Sequence, residues 1–181
     1  MDDEKLLVKA ISGDKEAFGQ LVDRYKDKII RLAFRFSRNY RDAEDIAQEV
    51  FIRAYLNLRS FKIESKISTW LYRITCNTAI NYMRKRKKAV DYDRIRRFNP
   101  SDNASHNITE KEKKDMIEKA IERLPVKLQL ALVLREYEDL SYKEIAEVLN
   151  CSIGTVESRI KRARDKLKVL IQPYIERGEN I

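Results

Sequence analysis

Apolar side chains recur every three to four positions along most of the chain, the period of a helix with one buried face. After Asp14, which is placed to cap a helix, Phe18, Leu21, Val22, Tyr25, Ile29, Leu32, Ala33 and Phe36 fall on one side. A short break over residues 37–41 follows. The next helix repeats Ala43, Ile46, Ala47, Val50, Phe51, Ala54, Tyr55 and Leu58 with the same period. Its other side holds Asp45, Gln48, Glu49, Ile52 and Leu56, a stripe that mixes acid with apolar residues. A face serving only to meet water should not carry Ile52 and Leu56 beside carboxylates. Residues 60–68 are polar and aperiodic, so they read as a loop. Ser68 then caps a helix from Thr69 to Lys88, with Trp70, Leu71, Ile74, Thr78 and Tyr82 inside. Arg73, Asn77, Asn81, Arg84 and Lys88 share one outer side, three or four positions apart.

Between Ala89 and Ile108 the pattern dissolves. Residues 99–107 concentrate Asn, Pro, Ser and Asp, which favour turns and mark a linker. Periodicity resumes after Thr109 and Glu112, a capping box in which each side chain can satisfy the other's backbone donor. Met116, Ile117, Ala120, Ile121 and Leu124 form the apolar face of that helix. Pro125 is expected at the first position of the next one. Leu128, Leu130, Ala131, Leu132, Val133 and Leu134 make this helix apolar nearly all round, which suits the centre of a small core. A second capping box, Ser141 with Glu144, opens a helix carrying Ile145, Ala146, Val148 and Leu149. Residues 150–152 break it, and the last long helix runs over 153–170. The expected fold is all-α, with two small helical domains over 1–90 and 109–181 joined by a flexible linker over 91–108. No internal repeat is evident.

Residues 141–168 have the pattern of a helix-turn-helix. Ala146 is small where the two helices touch, and Asn150 stands where the turn needs a left-handed backbone, which Asn tolerates. Val156 fills the pocket between the helices, and Ile153 and Ile160 extend the inner face. The outer face of the second helix offers Thr155, Glu157, Ser158, Arg159, Lys161, Arg162 and Arg164. A helix of this size fits the major groove, where such side chains reach base edges and phosphates.

Charge strengthens that reading. The chain has 181 residues and a net charge of +9. Residues 84–97 carry eight basic and two acidic side chains, and residues 153–168 carry six and two. The two clusters account for the whole surplus, which favours polyanionic partners. Cys76, Cys151 and His106 are scattered, whereas a structural zinc site needs about four such ligands. The cysteines are expected to be free thiols in a reducing cytosol, with no metal and no cofactor. No run approaches the ~20 apolar residues of a membrane span, and residues 1–5 are mostly charged, so a soluble cytoplasmic protein is expected.

The motifs together resemble the sigma-70 family of bacterial RNA polymerase specificity subunits. Residues 42–55 (Asp-Ala-Glu-Asp-Ile-Ala-Gln-Glu-Val-Phe-Ile-Arg-Ala-Tyr) look like sigma region 2.2. Phe61, residues 68–75 (Ser-Thr-Trp-Leu-Tyr-Arg-Ile-Thr), Asn77-Thr78 and Asn81-Tyr82 resemble regions 2.3 and 2.4. Residues 124–129, 140–149 and 153–164 look like region 4. With no room for a region 3 domain, the resemblance implies the extracytoplasmic-function group. It further implies that Asp45, Gln48, Glu49 and Ile52 dock on a coiled coil of the polymerase β′ subunit. By the same resemblance, the −10 promoter element lies against Phe61, Lys62, Lys66, Arg73, Asn77, Asn81 and Arg84, with a flipped base held in the 60–68 loop. Region 4 then reads the −35 element with the outer face of its last helix. The implied partners are core polymerase (β′ coiled coil and β flap), promoter DNA and an anti-sigma factor, possibly membrane-anchored; no small-molecule substrate or catalytic residue is implied. Several relatives have Lys or Arg where this chain has Glu157, which leaves the −35 sequence open.

Other readings explain less. A helix-turn-helix regulator that never joins polymerase leaves the mixed stripe and the Trp70 helix without a role. A metal-dependent nuclease using Asp42, Glu44, Asp45 and Glu49 fits poorly, because Asp42 and Glu44 diverge from the face that Asp45 and Glu49 share and no His, Lys or Gly-rich phosphate loop accompanies them. Membrane-surface binding by residues 84–88 fits poorly with the core-like face of their helix.

Overall fold

A computed structural model of the chain describes residues 2–61, 66–91 and 110–175, of which 86–91, 110–112 and 173–175 are described by backbone alone. The described residues form eight α-helices and a short 3-10 helix, with no strand among them. By its contacts the chain divides into two compact units, Met1–Val90 with Glu147–Asn150, and Asp91–Ala146 with Cys151–Ile181. The all-α expectation holds. The linker over 91–108, the capping box at Thr109 and the loop residues 62–65 lie essentially outside the described residues.

In the first unit, α1 (Asp3–Ile11), α2 (Lys15–Ser37), α3 (Tyr40–Asn57) and α4 (Ile67–Asp91) follow one another. The α1 helix was not separately expected. Asp2 caps it by accepting from the Asp3 N–H at 2.7 Å, and Leu6, Leu7 and Ala10 are buried against α2. Gly13, at φ 100°, makes the turn out of α1 that only glycine adopts freely. Asp14 caps α2 as expected, its carboxylate accepting from the N–H groups of Glu16 at 2.9 Å and Ala17 at 3.0 Å. The break before α3 is shorter than expected. Arg38 takes a left-handed conformation (φ 55°) and donates to the Phe34 carbonyl, and Asn39 at once caps the next helix. Ile29, Leu32, Ala33, Ala43, Val50 and Ala54 are sealed between α2 and α3. Each large member of that set stabilises the fold by roughly 1.5–3 kcal/mol through burial alone. Phe51 and Tyr55, expected inside, lie at the edge; Tyr55 is 45% exposed and its ring meets that of Phe18 at 5.1 Å, tilted by 60°.

Two expectations about α4 need correction. The helix begins at Ile67, where the Lys66 carbonyl takes the Trp70 N–H at 3.2 Å, so Ser68 is in the first turn and does not cap it. Burial of Ile67 draws the start forward. The inner face is built from Leu71, Tyr72, Thr75, Cys76 and Ala79, while Trp70, Ile74 and Tyr82 are half-buried.

In the second unit, α5 (Glu110–Glu122) and α6 (Val126–Glu136) pack on α8 (Ile153–Ile175), and α7 (Tyr142–Leu149) belongs to it up to Ala146, its last residues grouping with the first unit. Pro125 is the residue before α6 rather than its first, because its own carbonyl receives the Leu128 and Gln129 N–H groups at 2.8 and 3.0 Å. Every residue from Leu128 to Leu134 is buried, matching the all-round apolar pattern. The Ser141–Glu144 box closes in both directions: the Ser141 N–H donates to Glu144 Oε2 at 3.0 Å, and the Glu144 N–H donates to Ser141 Oγ at 3.3 Å.

Candidate functional site

The outer side of α3 presents every residue of the mixed stripe. Asp45, Gln48, Glu49 and Ile52 are all exposed, Ile52 at 60% and Leu56, one turn on, at 74%. Glu49 accepts from Arg53 at 2.5 Å, while Asp45 has no intramolecular partner. Two large aliphatic groups in water beside a free carboxylate and an ion pair make a surface with both apolar area and directional charge, the composition of a protein-docking patch.

Next to it runs a groove of about 380 Å³ between α3 and α4, lined among others by Asp42, Asp45, Glu49, Asn81, Arg84 and Lys85. Its acids come from α3 and its amide and two of its cations from α4. The Tyr82 hydroxyl donates to Asp42 Oδ2 at 2.5 Å and ties the two helices together. At the same groove the Thr78 hydroxyl is buried without a partner. Sequence reasoning missed the Tyr82–Asp42 link. Nothing in a periodic pattern connects two side chains forty positions apart.

On α4, Asn77, Asn81 and Arg84 are exposed along one side and Arg73 is half-buried. The Arg73 guanidinium donates to the Glu147 carbonyl at 2.7 and 3.1 Å. An amide offers a donor pair and an acceptor, so the two amides beside Arg84 can bond unpaired base edges and phosphates together. Phe61 is not open to a ligand: it is 8% exposed, with its ring edge-on to Trp70 at 4.9 Å. Lys66 is exposed at the start of α4, and Lys62 lies outside the described residues.

In α8, Val156, Ile160 and Ala163 are sealed at 1% exposure or less, and they fix which side turns outward. Ile153 was expected on that inner face but is 51% exposed, because the first residue of the helix precedes the point where its inner face closes. Ser152 caps the helix, its hydroxyl accepting from the Thr155 N–H at 3.2 Å. Asn150 adopts the expected left-handed turn at φ 48°. Glu157, Ser158, Lys161, Arg162 and Arg164 are exposed, and Thr155 and Arg159 are half-buried. The side chains of Glu157, Lys161 and Arg162 make no intramolecular bond. Arg159 instead donates toward Cys151 Sγ at 3.6 Å, and Arg164 pairs with Glu136 at 2.7 Å. That hydrogen bond and charge raise the Arg164 pKa further above its ordinary value. Among the described residues no cluster of His, Cys, Asp or Glu is placed to hold a metal, and no helix is long and apolar enough to cross a membrane.

Comparison with known proteins agrees along the chain. Residues 21–89 match the family described as Sigma-70 region 2, and residues 114–167 match Sigma-70, region 4. The chain is 41% identical to the RNA polymerase sigma-H factor of Pseudomonas aeruginosa, covering 96% of this chain and 95% of that protein. It is 40% identical to the ECF RNA polymerase sigma-E factor of Haemophilus influenzae, over 97% of this chain and 98% of that protein. Among solved structures, CnrH in complex with the cytosolic domain of CnrY is similar with a TM-score of 0.70 and 28% identity, covering 94% of this chain and 97% of that one. The sigma factor RpoE of Bartonella quintana, in complex with the anti-sigma factor NepR, has a TM-score of 0.64 and 28% identity, covering 86% and 96%.

Proposed function

Because this chain belongs to the sigma-70 family, in its extracytoplasmic-function group, we propose that it binds core RNA polymerase, directs it to specific promoters and helps melt them. It acts as an initiation factor; the RNA-forming chemistry stays with the polymerase. Residues 1–90 form the unit that binds core and the −10 element, residues 91–108 the linker, and residues 109–181 the unit that binds the −35 element. The outer stripe of α3, with Asp45, Gln48, Glu49 and Ile52, docks on the β′ coiled coil, and the second unit meets the β flap. Arg73, Asn77, Asn81 and Arg84 face the −10 DNA, with Lys62 and Lys66 beside the base pocket. Ser158, Lys161 and Arg162 read the −35 bases from the major groove, joined by Thr155 and Glu157, and Arg159 and Arg164 contact phosphate.

The observation that carries this reading is the surface of α3, where Ile52 and Leu56 stand in water beside a free Asp45. Of the two solved relatives, CnrH is bound to the cytosolic domain of CnrY and RpoE is bound to the anti-sigma factor NepR. By analogy with NepR, an anti-sigma factor holds this chain silent in the cytoplasm. In-vitro transcription with core polymerase on a promoter library tests the whole reading. The expected outcome is initiation from a subset sharing −10 and −35 elements; no gain over core alone would refute it.

A further inference from the structure

The outward side of α8 carries two acids, Glu157 and Asp165, among its cations, and nothing in the protein holds Glu157, the one nearer the start of the helix. Glu157 is exposed and makes no hydrogen bond or ion pair, although Lys161 stands one turn further along the same flank. A Glu to Lys pair at that spacing adds only a few tenths of a kcal/mol to a helix, and here it is not made. Glu157 therefore serves neither the core nor the charge balance of its own helix. Nor does it serve general affinity for DNA, since a carboxylate facing phosphates weakens binding to every sequence alike.

Base edges treat a carboxylate differently from phosphates. Among the bases, guanine and thymine offer it only acceptors in the major groove, N7 with O6 and O4. Adenine has an amino group, but N7 lies beside it with a lone pair turned toward the same space. Cytosine alone presents its 4-amino donor next to a C–H, with no adjacent acceptor on the ring. A side chain that accepts and cannot donate thus fits cytosine and is repelled by the others. Resting on the assignment of α8 as the −35-reading helix, we propose that Glu157 selects a C·G pair within that element by accepting a hydrogen bond from the cytosine 4-amino group. Ser158 and Lys161, next to it on the outward side, contact the flanking pairs.

The proposal is tested with holoenzyme, this chain on core polymerase, binding duplex promoters randomised across the −35 element, for the wild type, Glu157→Gln and Glu157→Ala. Because the side chain is exposed and unpartnered, all three fold alike, which circular dichroism verifies. The wild type is expected to favour cytosine at one position by roughly five- to a hundredfold. Glu157→Gln should move the preference at that position to adenine, whose N6 and N7 an amide bonds together, with the other positions unchanged. Glu157→Ala should flatten that one position, chiefly by tightening binding to sequences that lack cytosine there. Identical base preferences in all three, with only a uniform gain in affinity, would overturn the proposal and leave α8 as the reading helix. A wild type with no base preference anywhere in the element would overturn the proposal and the α8 assignment beneath it.

Discussion

Gly19 is exposed in the second turn of α2, and a Cβ added there would meet nothing within 4 Å. Glycine in a helix interior costs about 0.5–1 kcal/mol relative to alanine, and no close approach within the fold offsets that cost here. Gly19→Ala is expected to raise stability by that amount in urea melts. The arginines of α8 make a sharper residue-scale test. Arg162 is unpaired, so Arg162→Ala should flatten the −35 preference in footprinting. Arg164 is held by Glu136, with both side chains about half exposed, so their pair is worth at most ~1 kcal/mol and yields readily to phosphate. Arg164→Ala should lower affinity for all sequences alike and reduce the salt slope by about one. That Arg164 is tied down and Arg162 is not was not legible in the sequence. Both fall on the outward side of the same helix, and Glu136, which separates them, comes from another helix.

At the scale of helices, local chemistry was the more legible part. Asp14 and the Ser141–Glu144 box act within three residues and were readable directly. Ser68 and Pro125 were misplaced by one position, since a helix start is decided by which backbone carbonyl turns inward, and neighbours such as Ile67 bias that choice. The α1 helix was harder still, because it gains much of its order from a distant partner: Asp3 accepts from the Tyr25 hydroxyl at 2.5 Å and from the Arg24 guanidinium. Burial alone would raise the Asp3 carboxyl, but the bonds from Tyr25 and Arg24 hold it below the usual carboxylate range. Burial and Asp3 push the Tyr25 hydroxyl well above the tyrosine range. With its folded pKa lowered, Asp3 stabilises the fold above the usual carboxylate value near pH ~4 and loses that contribution as pH falls through the folded value. Asp3→Asn should therefore be less stable than the wild type at neutral pH, by no more than about 1 kcal/mol for so exposed a link, with the gap closing as pH falls below the usual carboxylate value. For α3, charge reversal of Asp45 and Glu49 to Lys should weaken binding to core polymerase while leaving helicity unchanged. Core affinity that stays the same would remove the docking role from this face.

For the whole molecule, the split into two compact units and the turn-forming residues between 99 and 107 lead to a test by proteolysis. Limited proteolysis should cut within 91–108 first and release two fragments that each keep cooperative melting. Uniform resistance across that stretch would count against two separable domains. The fold class was legible because helix periodicity survives in any single sequence. The division of labour among surfaces came instead from resemblance, since exposed residues leave no periodic trace of what they touch. The unheld side chains of α8 have a consequence on another timescale. Asp42 is bound to Tyr82, and a substitution there disturbs the join between two helices. Glu157, Lys161 and Arg162 are bound to nothing, so substitutions there leave the fold's stability untouched. One nucleotide change turns a glutamate codon into glutamine or lysine, and a lineage can take that step without first acquiring a compensating mutation. Promoter choice is thus free to drift between descendants of this protein while the scaffold stays under strict selection, and a duplicated copy could acquire its own set of genes in a single step.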